Sequence, residues 1–458
     1  MEEILSRYVV ATPVAVMAHA LVRRVFAASR LNELFERHAE SQYTRDLTFS
    51  TVTDLMLQVV TKKRPSLHAA YRHAQEVLPV SVTSVYNKVN GLEPGLSQAL
   101  VQDTAVSLES IITALPHRGP AFVGGLRLRT VDGNFLAGTD HRLDCLRNCG
   151  AAALPGMSLV VRDGRSGLLT HLIPCEDAYT NERSLVPELL TLNNADDLWL
   201  GDRNFCTNDY MAGLAQRQAY FVFRHHAATP LEPLGQRKAY GSNASGKVFE
   251  QKVRLGCGLV CRCITVELYQ PLRDGSKELR ILTNVPVKRL SAKRALRLYL
   301  KRWELETAFQ ELTDNLRCEI NTLGYPKAAL FGFALAVTAY NILVVMRDAL
   351  ASSQSTSVAQ AEHAQEQVSS YHLAVEVAAT TPGMLIAVPE ASWEALVRLS
   401  TPKFDAWLIR TAAGAKLERF AKNPRAPKKP TQVRRTRRGA HRSTARLLAN
   451  KTKHSGPP

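Results

Sequence analysis

The sequence predicts an α/β protein in which a mixed sheet, interrupted by a β-rich insertion, lies between helical regions. Three observations predict it. Segments 126–132, 157–162 and 168–174 and the run 196–202 read as strands, with a helix-like stretch at 182–192 before the last. Four more strand-like runs fill 219–285. Helix-like spacing dominates up to about residue 115 and returns after 325.

Residues 1–115 read as an all-helical domain. Leu31–His38, Thr53–Thr61, Ser66–Leu78 and Ser81–Val89 are helix-like, with breaks at Pro65 and Pro79 and with Ser66 and Ser81 as N-caps. The stretch 62–90 has the size of a helix-turn-helix. Lys62, Lys63 and Arg64 precede it, and Ser84, Asn87 and Lys88 fall on one side of its last helix, an arrangement suited to a DNA major groove.

Two of the strands deliver an aspartate. Residues 126–132 alternate apolar and polar and end on Asp132 before Gly133 and Asn134; the run 196–202 stops at Asp202, before Arg203, Asn204 and Phe205. The turn at 164–167 reads as a hairpin connection. The 103 residues between Asp202 and Glu306 are too many for a plain loop, so an insertion domain is expected at about 207–290. Residues 298–316 read as one helix. Leu298, Leu305, Phe309, Leu312 and Leu316 form its apolar stripe, and Tyr299, Arg302, Glu306, Gln310 and Thr313 run beside it. A carboxylate and a guanidinium at the margin of a buried stripe suit a cleft wall. Alone, each aspartate reads more often as a turn former or helix cap than as a reactive group. Three carboxylates in the order strand end, strand end, helix form the hard oxygen set that two divalent cations require.

This order and its flanks resemble the DDE transposases of bacterial insertion sequences, the IS-four-like family. The family's third motif runs Tyr, two residues, Arg, three residues, Glu, six residues, Lys. Tyr299, Arg302 and Glu306 stand in that register; VDGNFL at 131–136 matches the first motif and GDRNF at 201–205 the second. Further likeness lies in LPGMSLVV (154–161), TAYNILVV (338–345) and APKKP (426–430), so the resemblance spans most of the chain from about residue 120. The chain departs from the family at Thr313, where the motif has lysine; Lys301 and Arg317 are nearby substitutes.

The resemblance implies a ribonuclease H-like catalytic domain over 116–350, with Asp132, Asp202 and Glu306 holding two Mg2+ ions that Mn2+ can replace. Tyr299, Arg302, Lys301 and Arg203 would bind DNA phosphates. It further implies cleavage and joining of element ends, inverted repeats and target DNA as partners, a homodimer in the synaptic complex, and an aromatic of the insertion stacking a displaced base. Without tryptophan in the insertion, Tyr220, Phe221, Phe223 or Tyr240 would have to serve.

Composition is compatible. Net charge is +17 and pI near 9.6, which points to an acidic polymer as partner. Twelve Lys and Arg and no acid occur from Lys422 to Lys453, so 421–458 is expected to be a disordered basic tail whose Lys428, Lys429, Arg434 and Arg435 gather DNA. Residues 351–420 are expected as a helical region, its first part a linker or weak helix. No apolar run is read as reaching the roughly 20 residues of a membrane span, and the acidic start lacks a signal peptide's pattern. A cytoplasmic, nucleoid-associated bacterial protein is expected. The cysteine pairs lack CxxC spacing, so the strand-borne ones read as core residues rather than zinc ligands.

Overall fold

Helices open the chain. The computed structural model describes residues 3–42, 44, 46–117, 123–272, 275–423 and 441–454. The first seven helices are α1 (Glu3–Ala11), α2 (Pro13–Val25), α3 (Ala28–His38), α4 (Phe49–Val60), α5 (Leu67–Ala74), α6 (Val82–Gly91) and α7 (Pro94–Ala114). Ser66 and Ser81 cap α5 and α6 as read from sequence: their side chains accept from the backbone N–H of Ala69 and Ser84. Lys88 departs from its expected place on a DNA-facing side. It shares the buried stripe of α6 with Val85 and Val89, is 8% exposed, and sets its ammonium 4.2 Å from the Phe35 ring centre.

Twelve strands follow among the described residues: β1 (Arg127–Phe135), β2 (Ala153–Leu154), β3 (Met157–Asp163), β4 (Leu169–Cys175), β5 (Asp197–Gly201), β6 (Tyr220–Arg224), β7 (Leu231–Pro233), β8 (Lys238–Ser242), β9 (Gly246–Leu255), β10 (Val260–Leu268), β11 (Glu278–Thr283) and β12 (Arg442–Ser443). One large sheet runs in the order β4-β3-β1-β5-β6-β11-β10-β9-β7, with β8 also on β9. β3 is antiparallel to both β4 and β1, while β1, β5 and β6 are mutually parallel. The predicted hairpin joins β3 to β4, where Asp163 Oδ1 accepts from the backbone of Arg165 and Ser166, both at 2.9 Å. Helices α8 (Val186–Thr191) and α9 (Asn208–Gln216) cover one face of the parallel strands.

The expected insertion is not a separate body. Its first strand, β6, belongs to the central parallel set, and β11 pairs with β6 through Leu282 opposite Phe223, so the later strands extend the same sheet. The extension covers the edge that β6 would otherwise expose. Cys261 and Cys263 of β10 are core residues, as read from sequence.

The helical ends also merge. Helix α10 (Ala292–Leu300) and α11 (Trp303–Asn315) lead to α12 (Pro326–Ser353), followed by α13 (Val358–Gln367), α14 (Ser370–Ala387), α15 (Glu390–Val397) and α16 (Thr401–Ala413). One core joins residues of α1–α7 to α12 and the later helices, so the N-terminal region has no core of its own. Phe49 stands 5.7 Å from Phe331, and Asn341 makes two 2.8 Å hydrogen bonds with the backbone of Leu169 on β4. A helix apolar all round needs partners on every face. By length and hydropathy (mean 2.1) α12 could cross a membrane, which corrects the reading that no run is long enough; here that window is wholly buried within the protein.

The tail is ordered in part, against expectation. β12 pairs in parallel with β2, and α17 (Thr444–His454) follows it. Asp177 provides the anchor, accepting from Ser443 Oγ and Arg446 Nε, both at 2.7 Å. Lys428, Lys429, Arg434 and Arg435 lie outside the described residues.

Deep in the sheet Arg129 of β1 meets Asp197 of β5 at 3.0 Å, the pair 3% and 1% exposed. Removing one partner leaves the other charge buried and unpaired. Asp197→Ala is therefore expected to cost about 3–5 kcal/mol in denaturant unfolding; a loss under about 1 kcal/mol would show that water reaches Arg129.

Candidate active site

The site forms where alternation along parallel strands places two aspartates on one face. Leu126 and Leu128 of the β1 segment, and Leu198 and Leu200 of β5, point into the core that also holds Leu296, Leu298 and Tyr299 of α10. Side chains alternate, so Asp132 and Asp202 continue those two rows. The parallel register sets Thr130 beside Leu200. Carried two residues further, that register would bring Asp132 level with Asp202, whose charge acts on the Asp132 carboxyl. Asp202 caps the short turn Arg203–Phe205, with Oδ1 accepting from Asn204 N at 2.7 Å.

The single helix expected over 298–316 is instead two, α10 and α11. At the joint, Lys301 N bonds Leu298 O, Arg302 N bonds Tyr299 O, and Leu305 N bonds Arg302 O, the tighter i to i−3 pattern of a 3₁₀ turn. The stripe splits for a packing reason. Leu298 enters the core under the sheet, whereas Leu305, Leu312 and Leu316 enter the helical core.

Arg302 occupies the joint and faces inward. Its guanidinium contacts Asp132 Oδ2 at 3.1 Å and Glu306 Oε1 at 2.7 Å, with only 11% of the side chain exposed. Glu304 pins α11 to β3 through Arg162 at 2.6 Å. Tyr299, 6% exposed, lies near Arg302, whose charge acts on its phenol. Arg302 therefore joins Asp132 to Glu306, and Asp202 lies near enough for its charge to act on Asp132 and Tyr299.

Burial pushes the Asp132 carboxyl up to about 7; Arg302 opposes this, while the charges of Asp202 and Glu182 add to it. Burial alone would lower the Arg302 guanidinium, but Tyr299, Asp132 and Glu306 outweigh it and hold it above its usual range. Burial likewise raises Tyr299 against the pull of Arg302.

Other candidates fall elsewhere. Lys301 and Arg203 are exposed beside the cleft. Arg317 is engaged: it donates to the backbone carbonyls of Arg64 and Pro65, which makes it a tether to the N-terminal helices rather than a substitute for the missing lysine. Thr313 is exposed and turns its hydroxyl back to Phe309 O at 3.1 Å. Phe221 and Phe223 are fully buried, Tyr220 accepts from Arg289 at 3.2 Å, and Tyr240 is exposed. Glu182 and Asn204 escaped sequence reasoning as site residues. Glu182 is 9% exposed, and its Oε2 accepts from Asn204 Nδ2 at 3.1 Å. A lone glutamate before a helix carries no spacing signal that could have marked it.

The donor set can be tested for a divalent cation. Asp132, Asp202 and Glu306 offer hard carboxylate oxygens. As the described residues stand, no three His, Cys, Asp or Glu form a preassembled metal cluster. Arg302 supplies the local cation, bridging two of the three carboxylates. The chemistry of the donors fits Mg2+ or Mn2+.

Asp132 holds its proton more tightly folded (about 7) than unfolded (3.8). Its contribution to stability is complete below about pH 4 and is lost as pH rises through about 7. Without metal, Asp132→Asn should gain in Tm over the wild type as pH is raised across that window. Parallel melting curves would show an ordinary aspartate.

Among curated proteins none matches this chain. Among solved structures, a piggyBac transposase in a synaptic complex with hairpin DNA, determined by cryo-electron microscopy, is similar at 10% identity and TM-score 0.40, over 83% of this chain and 84% of that one. Residues 147–342, which contain Asp202 and Glu306, match the family model of the transposase DDE domain.

Proposed function

We propose that this chain is a DDE transposase that binds the ends of an insertion sequence and catalyses metal-dependent strand cleavage and strand transfer through Asp132, Asp202 and Glu306. One observation carries the reading: Arg302 ties Glu306 to Asp132 of β1, whose carboxyl also feels the charge of Asp202 just past the end of β5. The match to the transposase DDE domain over 147–342 supports it. So does the strand order β4-β3-β1-β5-β6, antiparallel then parallel, which suits a ribonuclease H-like domain.

Two Mg2+ ions held by the three carboxylates would supply an activated water or 3′-hydroxyl and neutralise the leaving oxygen. The protein's own groups do the positioning. Arg302 presents a planar fork that fits two phosphate oxygens. Its contacts with Asp132 and Glu306 are ones that a cation and a phosphate would replace together, so no charge is left uncompensated in the exchange. Buried Tyr299, beside Arg302, would help to hold the guanidinium in place. Exposed Lys301 and Arg203 would meet the DNA backbone at its rim. Double-stranded DNA carrying terminal inverted repeats is the proposed partner, with a homodimer as the working form and the bacterial cytoplasm as its location.

A second reading is a repurposed transposase that binds ends without cutting them. The exposed Thr313, in place of the family's lysine, favours it. Magnesium-dependent nicking of a plasmid carrying the element ends separates the two, and joining of a precut end excludes a plain nuclease. Glu306→Ala should abolish nicking, a loss of at least about 100-fold by analogy with other single electrostatic groups at active sites, while end binding in a gel-shift assay stays near wild type. Appreciable residual cutting would remove Glu306 from the chemistry.

A further inference from the structure

The two aspartate loops are joined from behind by a residue that the DDE triad does not include. Gly133 follows Asp132 on β1, and alternation turns position 133 to the opposite face of the sheet. There Glu182 fills the space a side chain would need: a Cβ built on Gly133 would meet Glu182 Oε1 at 2.0 Å and its Cδ at 2.7 Å. Any larger residue at 133 would have to push this carboxylate out.

The second oxygen of Glu182 reaches the other loop. Glu182 Oε2 accepts from Asn204 Nδ2 at 3.1 Å, and the backbone N–H of the same Asn204 donates to Asp202 Oδ1 at 2.7 Å. Asn204 is held a third time, its carbonyl accepting from Arg183 Nε at 3.0 Å. Glu182 thus touches the residue after Asp132 and the side chain that steadies Asp202. The Asn181 side chain fixes the start of this segment, accepting from Arg183 N at 3.1 Å.

A buried carboxylate at this position is costly unless something nearby favours negative charge. Its hydrogen-bond partner is the neutral Asn204 amide; burial raises the Glu182 carboxyl above its usual range, opposed by that bond and by the charge of Arg183. From sequence, a glutamine could make the same bond to Asn204. The carboxylate is explained if its charge is used.

Resting on the transposase reading, we infer that Glu182 is a fourth carboxylate of the centre: a positioning residue that spaces the Asp132 and Asp202 loops and adds negative charge to the divalent-cation site. It acts through Gly133 and Asn204 and is not assigned contact with DNA.

The test compares full-length wild type, Glu182→Gln and Glu182→Asp. Mn2+ binding is followed without DNA by the electron paramagnetic resonance signal of free Mn2+, alongside Tm and Mg2+-dependent nicking. Glutamine keeps size and an acceptor for Asn204 but removes the charge. The expected result is Mn2+ affinity weakened about 10-fold in Glu182→Gln, the low end of what removing a group behind the ligands costs. The charged Glu182→Asp should lose less. Mn2+ affinity of Glu182→Gln equal to wild type overturns the inference, whatever happens to stability. Should Glu182→Gln fail to fold, Asn204→Ala carries the test: weakened Mn2+ binding supports the inference and wild-type binding overturns it. A wild type that neither binds Mn2+ nor nicks removes the transposase reading and this inference with it. A wild type that does both, with variants identical to it, removes the inference alone.

Discussion

The candidate centre depends on one guanidinium. Arg302 reaches from the joint between two helices to a strand-borne aspartate and back to a glutamate one turn further on, almost out of contact with water. Each contact alone would be an unremarkable ion pair. Together they fix the angle at which α11 leaves the joint, because a planar fork bonded on two sides has little freedom left. The Glu304–Arg162 pair then holds the other side of the same helix turn against β3. The 3₁₀ turn at 301–302 follows from this packing. A straight helix could not have set Leu298 under the sheet and Leu305 in the helical core at once.

The parts of this arrangement that repeat along the chain were legible in the sequence. Alternation at 126–132 and the apolar run before Asp202 gave both strands, although β1 runs past Asp132 to Phe135, and the Tyr299, Arg302, Glu306 spacing placed those three side chains together. The helix break was not legible, because its cause is two separate cores that compete for one apolar stripe. Lys88 misled for a related reason. A lysine on a short polar helix reads as solvated, yet its stem can cover apolar surface while its charge rests on an aromatic ring. Glu182 and Asn204 were invisible because their roles are defined across the sheet: nothing at 181–184 announces a contact with Gly133, nearly fifty residues earlier.

The division into domains shows the same limit. Residues 1–115 have the helical spacing of an autonomous module, and 207–290 have strands enough for another. Neither stands alone in the fold. α12 is so apolar that it draws α2, α4 and α7 from one end of the chain and α14 and α16 from the other into a single core. Its length and hydropathy would equally suit a bilayer, and the burial of that window inside the protein is what distinguishes the two environments here. The later strands, for their part, continue the central sheet instead of closing on themselves, so the edge of β6 is paired by β11.

The N-terminal helices are also tied to the centre. Arg317, just past the end of α11, holds backbone carbonyls at 64 and 65, and Lys62 donates to Asp314 O at 2.8 Å. The segment ahead of α5 and α6, the part of the N-terminal region sized for a DNA groove, is therefore fastened to the helix that bears Glu306. A load placed on α5 and α6 reaches α11 through two basic side chains with no flexible linker between. A separate DNA-binding module on a tether could hold its site without any effect on the acidic cluster. Here the segment ahead of α5 and the helix that bears Glu306 are held together by direct side-chain-to-backbone contacts.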